Sequence, residues 1–158
     1  MSLANPYLSL SEKRIIVAGA GVTGLSVARA LEERGATVTF ADEKVTAVDG
    51  YEVRQPTEFK ENEFDAILVS PGWRESNPLI SLARTFNKPI LNEIDLAWQI
   101  KQEEVPHQRW YALTGTNGKT TTTRLLAHIV KNNGYKVGFT TSDGIYVQNH
   151  MMEKGDTT

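Results

Sequence analysis

The sequence predicts an α/β protein, and three observations carry that prediction. Short runs rich in Ile, Val and Leu at residues 14–18, 37–41, 65–69 and 89–91 alternate with segments of helical periodicity, as in the strand–helix units that build a parallel sheet. A glycine fingerprint, Gly19-Ala-Gly-Val-Thr-Gly24, stands between the first strand and the first helix. A second glycine loop, Gly115-Thr-Asn-Gly-Lys-Thr120, stands between a later apolar run and another helical pattern. The polar stretch at 101–108, which contains Pro106, separates the two motifs. The expectation is a Rossmann-like parallel-sheet domain over residues 1–108, followed by the beginning of a P-loop α/β domain over 109–158.

Composition narrows the function. The 158 residues suffice for one domain and a part of another. A net charge of −2 gives no electrostatic case for nucleic acid or an anionic membrane. The absence of cysteine rules out disulfides, thiol catalysis and thiolate metal sites, and a cytoplasmic setting fits. The apolar run 15–31 is broken by glycines, Thr23 and Arg29, too often for a membrane span, and no signal-peptide layout precedes it.

Taken in order, residues 14–18 form a buried strand, and a helix follows the fingerprint to about residue 34 with Val27, Ala28, Ala30 and Leu31 on one face. Gly35 ends it. Residues 37–41 are the next strand, and Asp42 stands at its end. Strand, G-x-G-x-x-G, helix, strand and acid together make a dinucleotide fingerprint. The glycines permit a tight turn and close approach of a diphosphate, and the acid can accept hydrogen bonds from a ribose or a base. From the residues alone the ligand stays open between NAD(P) or FAD and another diphosphate such as a UDP-linked sugar, and a glycine turn that only packs is the third reading.

Residues 51–54 can form a short strand, and 65–69 is a clear one, with Ser70-Pro71-Gly72 as its loop. Such a loop lies where open sheets bind ligands, although any Pro-Gly pair also serves as a plain turn. Asn77-Pro78 opens a helix to about residue 86. Residues 89–91 are a strand, and 93–102 a helix with Ile94, Ala97 and Trp98 on its core face. After the linker, 110–113 is expected as a strand, 119–133 as a helix burying Leu125, Leu126, Ile129 and Val130, and 136–139 as a strand. His128 is expected as a partly buried structural histidine. Residues 145–147 and 151–153 form a hairpin whose turn includes His150.

The loop at 115–120 carries the chemistry. Gly115 and Gly118 let backbone N–H groups face an anion, Lys119 can reach terminal phosphates, and the Thr120 hydroxyl can ligate Mg²⁺. The first glycine of the Walker pattern is replaced by Leu113, so a turn that merely caps a helix is the plain alternative.

The stretch Thr114-Gly-Thr-Asn-Gly-Lys-Thr-Thr121 resembles the ATP loop of the Mur ligase family, amide-bond-forming ligases of peptidoglycan synthesis, whose loop also lacks that glycine. Gly19-Ala-Gly-Val-Thr-Gly-Leu-Ser26, Val69-Ser-Pro-Gly-Trp73 and Asn92-Glu-Ile-Asp-Leu96 are similar to the first domain of the family's D-glutamate-adding type. The resemblance implies that the first domain holds the UDP part of a UDP-linked muramoyl substrate. Val22 and Thr23 would then meet the diphosphate, Asp42 and Glu43 would lie near the uracil, and Ser70, Pro71 and Gly72 would close the pocket. It implies ATP on Gly115, Thr116, Asn117, Gly118, Lys119, Thr120 and Thr121, with Mg²⁺ on Thr120, and an amino acid as second substrate. The implied reaction activates a carboxylate as an acyl phosphate, which the amine attacks. After residue 138 the chain is more similar to the ligase half of cyanophycin synthetase, which keeps the reaction class and opens the choice of substrate. A nucleotide-binding module without catalysis is the further alternative. The segments after residue 108 are too few for a complete nucleotide-hydrolysing domain. Either more chain follows in nature or the sequence is a truncated piece, and these residues alone are expected not to complete ligation.

Overall fold

The computed structural model describes residues 10–70 and 72–154. The chain divides into two compact units, residues 1–108 and 109–158.

The first unit is built on a five-stranded sheet, all of it parallel. Its strands are β1 (Arg14–Ala18), β2 (Thr37–Ala41), β3 (Val53–Arg54), β4 (Ala66–Val69) and β5 (Ile90–Leu91), in the spatial order β3-β2-β1-β4-β5. Helix α1 (Val22–Glu32) links β1 to β2, α2 (Pro78–Thr85) links β4 to β5, and α3 (Glu93–Glu104) follows β5. The order reverses at β1, because the chain moves outward through β2 and β3 and returns to place β4 on the other side. In a sheet of this kind ligands bind at that switch, outside the carboxyl ends of the two central strands.

Both faces of the sheet are covered, so β1 reads as an unbroken apolar run rather than an alternating one. Alternate residues go to opposite layers. Ile15 and Val17 join Val27, Ala28, Leu31, Phe40 and Leu96 on one face. Ile16 and Ala18 join Phe64, Ile67, Leu79, Ile80 and Ala83 on the other. Arg14 and Asp65 fasten the entry ends of β1 and β4 by a paired contact of 3.0 Å, and Arg14 also donates its backbone N–H to the carboxylate at 2.9 Å.

Helix α3 is turned differently from its apolar pattern. Leu96 and Gln99 are buried and Ile100 packs against the core, while Ile94 and Trp98 face outward, Trp98 at 41% exposure. The cap decides the rotation. Asn92 Oδ1 accepts from the N–H groups of Ile94 (2.8 Å) and Asp95 (2.9 Å), and Asp95 accepts the Asn92 N–H at 3.1 Å. Lys101 buries its stem, donates to the Pro106 carbonyl at 2.7 Å, and holds its ammonium 5.2 Å from the Trp98 ring centroid.

The second unit contains α4 (Lys119–Asn132) and an antiparallel sheet of β6 (Gly138–Thr141), β7 (Gly144–Val147) and β8 (His150–Lys154). The expected strand at 110–113 does not form. A lone strand cannot satisfy its N–H and C=O groups, and no described strand pairs with it. The strand expected at 136–139 instead lies at 138–141 and pairs with the hairpin. That hairpin turns on Gln148 and Asn149, both with positive φ (51° and 70°), the geometry of a tight primed turn. His150 therefore begins β8 rather than sitting in the turn.

Helix α4 packs on β6 alone, so only Ala127 of the helix is fully buried, and Leu125 (58%) and Ile129 (49%) stay exposed. His128 is exposed as well, with Nε2 2.8 Å from Asn132 Nδ2, and is not the part-buried residue expected. No helix among the described residues is long and apolar enough to cross a membrane.

Candidate functional site

Helix N-termini in this structure are of two kinds. The α2 and α3 ends are closed by Asn77 and Asn92, whose side chains accept the first free N–H groups. The α1 and α4 ends begin on Gly21 and Gly118, have no side-chain cap, and carry no acid in their first turn. Uncapped N–H groups and the positive end of the helix dipole form a ready anion site. Both glycine motifs therefore end in an open, electropositive helix start.

At the first of these, each glycine has its own task. Gly19 has φ +103°, which excludes most side chains, and donates its N–H to the Ala41 carbonyl at 2.9 Å. Gly24 is buried, and a Cβ there would stand 2.0 Å from the Gly19 carbonyl oxygen, so it permits the helix to lie on the loop. Gly21 has nothing within 4 Å of a Cβ position, which leaves its face open. Val22 (75%) and Thr23 beside it are exposed.

Asp42 closes this loop from beneath. Its Oδ2 accepts the Ala20 N–H at 2.9 Å, and Oδ1 accepts those of Lys44 (2.8 Å) and Val45 (2.9 Å). Burial pushes the Asp42 carboxyl up, but these three donors and the nearby Lys44 charge outweigh it and hold it below the usual carboxylate value. The adjacent Glu43 is exposed, and Asn77 Nδ2 approaches its Oε1 at 3.3 Å.

The loop after β4 borders the same crevice. Ser70 accepts the Trp73 N–H at 3.1 Å, and Gly72 is open, with nothing within 4 Å of a Cβ position. Pro71 lies outside the described residues. Trp73 Nε1 stands 3.5 Å from the Cβ position of Gly19. So the structure brings Val22, Thr23, Asp42, Glu43, Ser70 and Gly72 to one edge of the sheet and adds Trp73 and Asn77. The sequence marked Asn77 only as a helix cap and Trp73 only as part of a motif.

The second loop is described within its own unit. Gly115 (φ +141°) and Gly118 (φ +78°) hold conformations that favour glycine. Thr116 and Asn117 are exposed between them. Lys119 turns its ammonium back to the Gly115 carbonyl, across the loop. The Thr123 hydroxyl donates to the Lys119 carbonyl at 2.9 Å, whereas Thr120 and Thr121 lie at the uncapped start of α4. One turn further on, Arg124 pairs with Asp143 at 2.8 Å and reaches the Tyr146 hydroxyl at 3.3 Å, a tie between helix and hairpin that no sequence motif announces. Among the described residues no group of three or more His, Asp or Glu could hold a metal ion, so a Mg²⁺ ion here would rely on Thr120 and on oxygens of a bound phosphate.

A parallel sheet with a glycine loop at its switch point, followed by a second glycine loop on a helix, defines a nucleotide-site protein of the α/β class. Comparison with known proteins takes this further. No family model matches the chain. Among curated proteins it is 33% identical over 145 residues to the UDP-N-acetylmuramoylalanine–D-glutamate ligase of Corynebacterium diphtheriae, a match covering 85% of this chain and 30% of that protein. It is 35% identical over 142 residues to the enzyme of the same name from Caldanaerobacter subterraneus, covering 82% and 30%. Among solved structures, the UDP-N-acetylmuramate:L-alanyl-gamma-D-glutamyl-meso-diaminopimelate ligase from Neisseria meningitides superposes with a TM-score of 0.50 at 20% identity. That match covers 92% of this chain and 51% of that one, and it speaks to the fold alone. The chain is thus a relative of the Mur ligases and is most extensively matched here by their D-glutamate-adding members. It spans about 30% of the length of the curated relatives it matches.

Proposed function

We propose that this chain supplies the UDP-substrate-binding domain (residues 1–108) and the start of the ATP-binding domain (109–158) of an ATP-dependent Mur-type ligase. The reaction would add an amino acid, D-glutamate by its relatives' name, to a UDP-muramoyl precursor of the cell wall in the cytoplasm. One observation carries the reading: both glycine motifs end in helix starts that lack a side-chain cap, while the other two long helices are capped by asparagine.

In the first unit, the N–H groups at Val22 and Thr23 would receive the diphosphate, and the open face of Gly21 gives it room. Glu43, Ser70 and Gly72 would border the rest of the nucleotide, with Pro71 in the same loop. In the second unit, the backbone of Gly115, Thr116, Asn117 and Gly118 would wrap the terminal phosphates of ATP, with Thr121 at the helix start. Lys119 would leave the Gly115 carbonyl to meet them, and Thr120 would offer its hydroxyl to Mg²⁺. Bound Mg·ATP supplies the phosphoryl group that activates a substrate carboxylate as an acyl phosphate, which the amine of the amino acid then displaces. The chain's own part is positioning and charge neutralisation. These residues alone are expected to bind without completing ligation.

A thermal-shift panel tests the proposal, with UDP-N-acetylmuramoyl-L-alanine, Mg·ATP and NAD⁺ each at about 100 times its dissociation constant, where a bound ligand adds about 2.7 kcal/mol. Stabilisation by the first two is expected. Stabilisation by NAD⁺ alone would overturn the reading, as would amide formation by the isolated chain for its last clause.

A further inference from the structure

The acid at the end of the second strand of a dinucleotide fingerprint ordinarily accepts hydrogen bonds from the ribose. In this chain that acid is already committed. A carboxylate offers about four acceptor positions, and three of those of Asp42 are filled by its own chain, from two separate segments. Ala20 donates to Oδ2 at 2.9 Å, and Lys44 and Val45 donate to Oδ1 at 2.8 and 2.9 Å. Ala20 is buried and sits between Gly19, which is itself bonded to Ala41 at 2.9 Å, and Gly21, where α1 begins. The carboxylate therefore sets the position of the loop whose next residues present the open N–H groups. A ligand hydroxyl would have to displace charge-assisted bonds to reach it.

The next residue has the opposite character. Glu43 is exposed at the same strand end. Asn77 approaches its Oε1 at 3.3 Å, and Asn77 is itself anchored by accepting the Leu79 N–H at 3.0 Å. Among the described residues nothing donates to Glu43 Oε2. The chain thus places a steadied, accepting carboxylate where Asp42 cannot serve.

We infer that Asp42 is a positioning residue that builds the diphosphate loop without touching the ligand, and that Glu43, steadied by Asn77, is the carboxylate that recognises the nucleoside. The inference rests on the proposed UDP site. It assigns Glu43 a hydrogen-bond donor on the ligand, such as the imide N–H of uracil or a ribose hydroxyl.

The test compares two variants of the 158-residue chain by calorimetric titration with UDP and with ribose 5-diphosphate, the same ligand without its base. Asp42→Asn replaces an acceptor by a donor facing a backbone N–H. It is expected to weaken both ligands by a similar factor, about tenfold or more, and to shift the amide resonances of Ala20, Lys44 and Val45 in the ligand-free protein. Glu43→Ala is expected to weaken UDP about three- to tenfold and to leave ribose 5-diphosphate within about twofold, with those amides unmoved. The inference is overturned if Asp42→Asn weakens UDP alone with the amides at their wild-type positions, or if Glu43→Ala leaves UDP affinity unchanged. Should Asp42→Asn not fold, the side-chain carboxyl ¹³C resonance of Asp42 in the wild-type chain decides. It stays put on saturation with UDP if the residue only positions, and a shift matching direct contact overturns the assignment. Failure of the wild-type chain to bind UDP would remove the proposed function and the Glu43 half with it. The ligand-free amides would still settle the role of Asp42.

Discussion

Two glycines of one motif should fail in opposite ways, and this gives the sharpest check on the site. At Gly24 a Cβ would lie 2.0 Å from the Gly19 carbonyl oxygen and 3.2 Å from Phe40 Cε1. The near obstacle is backbone, so no rotamer change relieves it. The gap must open to at least 3.0 Å, which moves α1 off β1 by about 1 Å. Overpacking of this kind costs about 1–3 kcal/mol, and a rigid obstacle puts it at the upper end. Replacing glycine by alanine inside a helix returns about 1 kcal/mol. The net loss for Gly24→Ala is about 2 kcal/mol, which in a domain of this size lowers the melting temperature by about 8–16 °C. At Gly21, φ is −82° and nothing lies within 4 Å of a Cβ, so alanine fits the free protein. Gly21→Ala should melt within about 3 °C of wild type, because the poorer cap and the stiffer unfolded chain offset each other. The new methyl covers the face open to a diphosphate, so UDP affinity should fall about tenfold or more. Thermal unfolding followed by circular dichroism, with calorimetric titration of UDP, reads both. If Gly24→Ala melts with wild type, or Gly21→Ala keeps full UDP affinity, the division of labour among these glycines is wrong.

Three further outcomes follow from the geometry. Lys119→Ala should leave the melting temperature of the free chain within about 2 °C, because the side chain is exposed, and should abolish the shift produced by Mg·ATP. An undiminished shift would take Lys119 out of the site. The side-chain hydrogen bond from Arg14, then its backbone N–H, hold the Asp65 carboxyl at about 2, below its value in the unfolded chain. A lowered value stabilises the fold above about pH 4 and loses that contribution as the pH falls toward 2. Asp65→Asn should therefore cost about 1 kcal/mol at neutral pH, a figure reduced for partial exposure, and the gap to wild type should close between pH 4 and pH 2 in urea titrations. A gap that persists at pH 2 would assign the loss to packing. Asn92→Ala removes the acceptor for two N–H groups at the start of α3 and should cost about 1 kcal/mol, seen as an earlier urea midpoint at unchanged slope.

The strands and helices of the first unit were legible because local pattern and final environment agree there. Residues 14–18 and 37–41 are apolar throughout and end up buried between two layers, and Asn77-Pro78 does begin a helix. Both glycine loops could be found from spacing alone, because the left-handed backbone at Gly19, Gly115 and Gly118 selects glycine directly. Where the pattern misled, the deciding partner was distant. Ile94 and Trp98 keep helical spacing, yet the Asn92 cap and the layer above the sheet turn Leu96 and Gln99 inward instead. Residues 110–113 carry a strand composition, but a parallel strand exists only through its neighbours.

The sequence by itself determined the chemistry available to this protein: two phosphate-type loops, their order, an acid at the end of the second strand, and no thiol. Tertiary structure decided which of those groups are free to act. The acid looks from its position like a ligand contact. Only the folded chain brings Ala20, Lys44 and Val45 within 3 Å of Asp42 and takes up its oxygens, leaving the neighbouring Glu43 exposed. A motif records residue types at fixed separations along the chain, whereas hydrogen-bond capacity is used up by whatever the fold brings near.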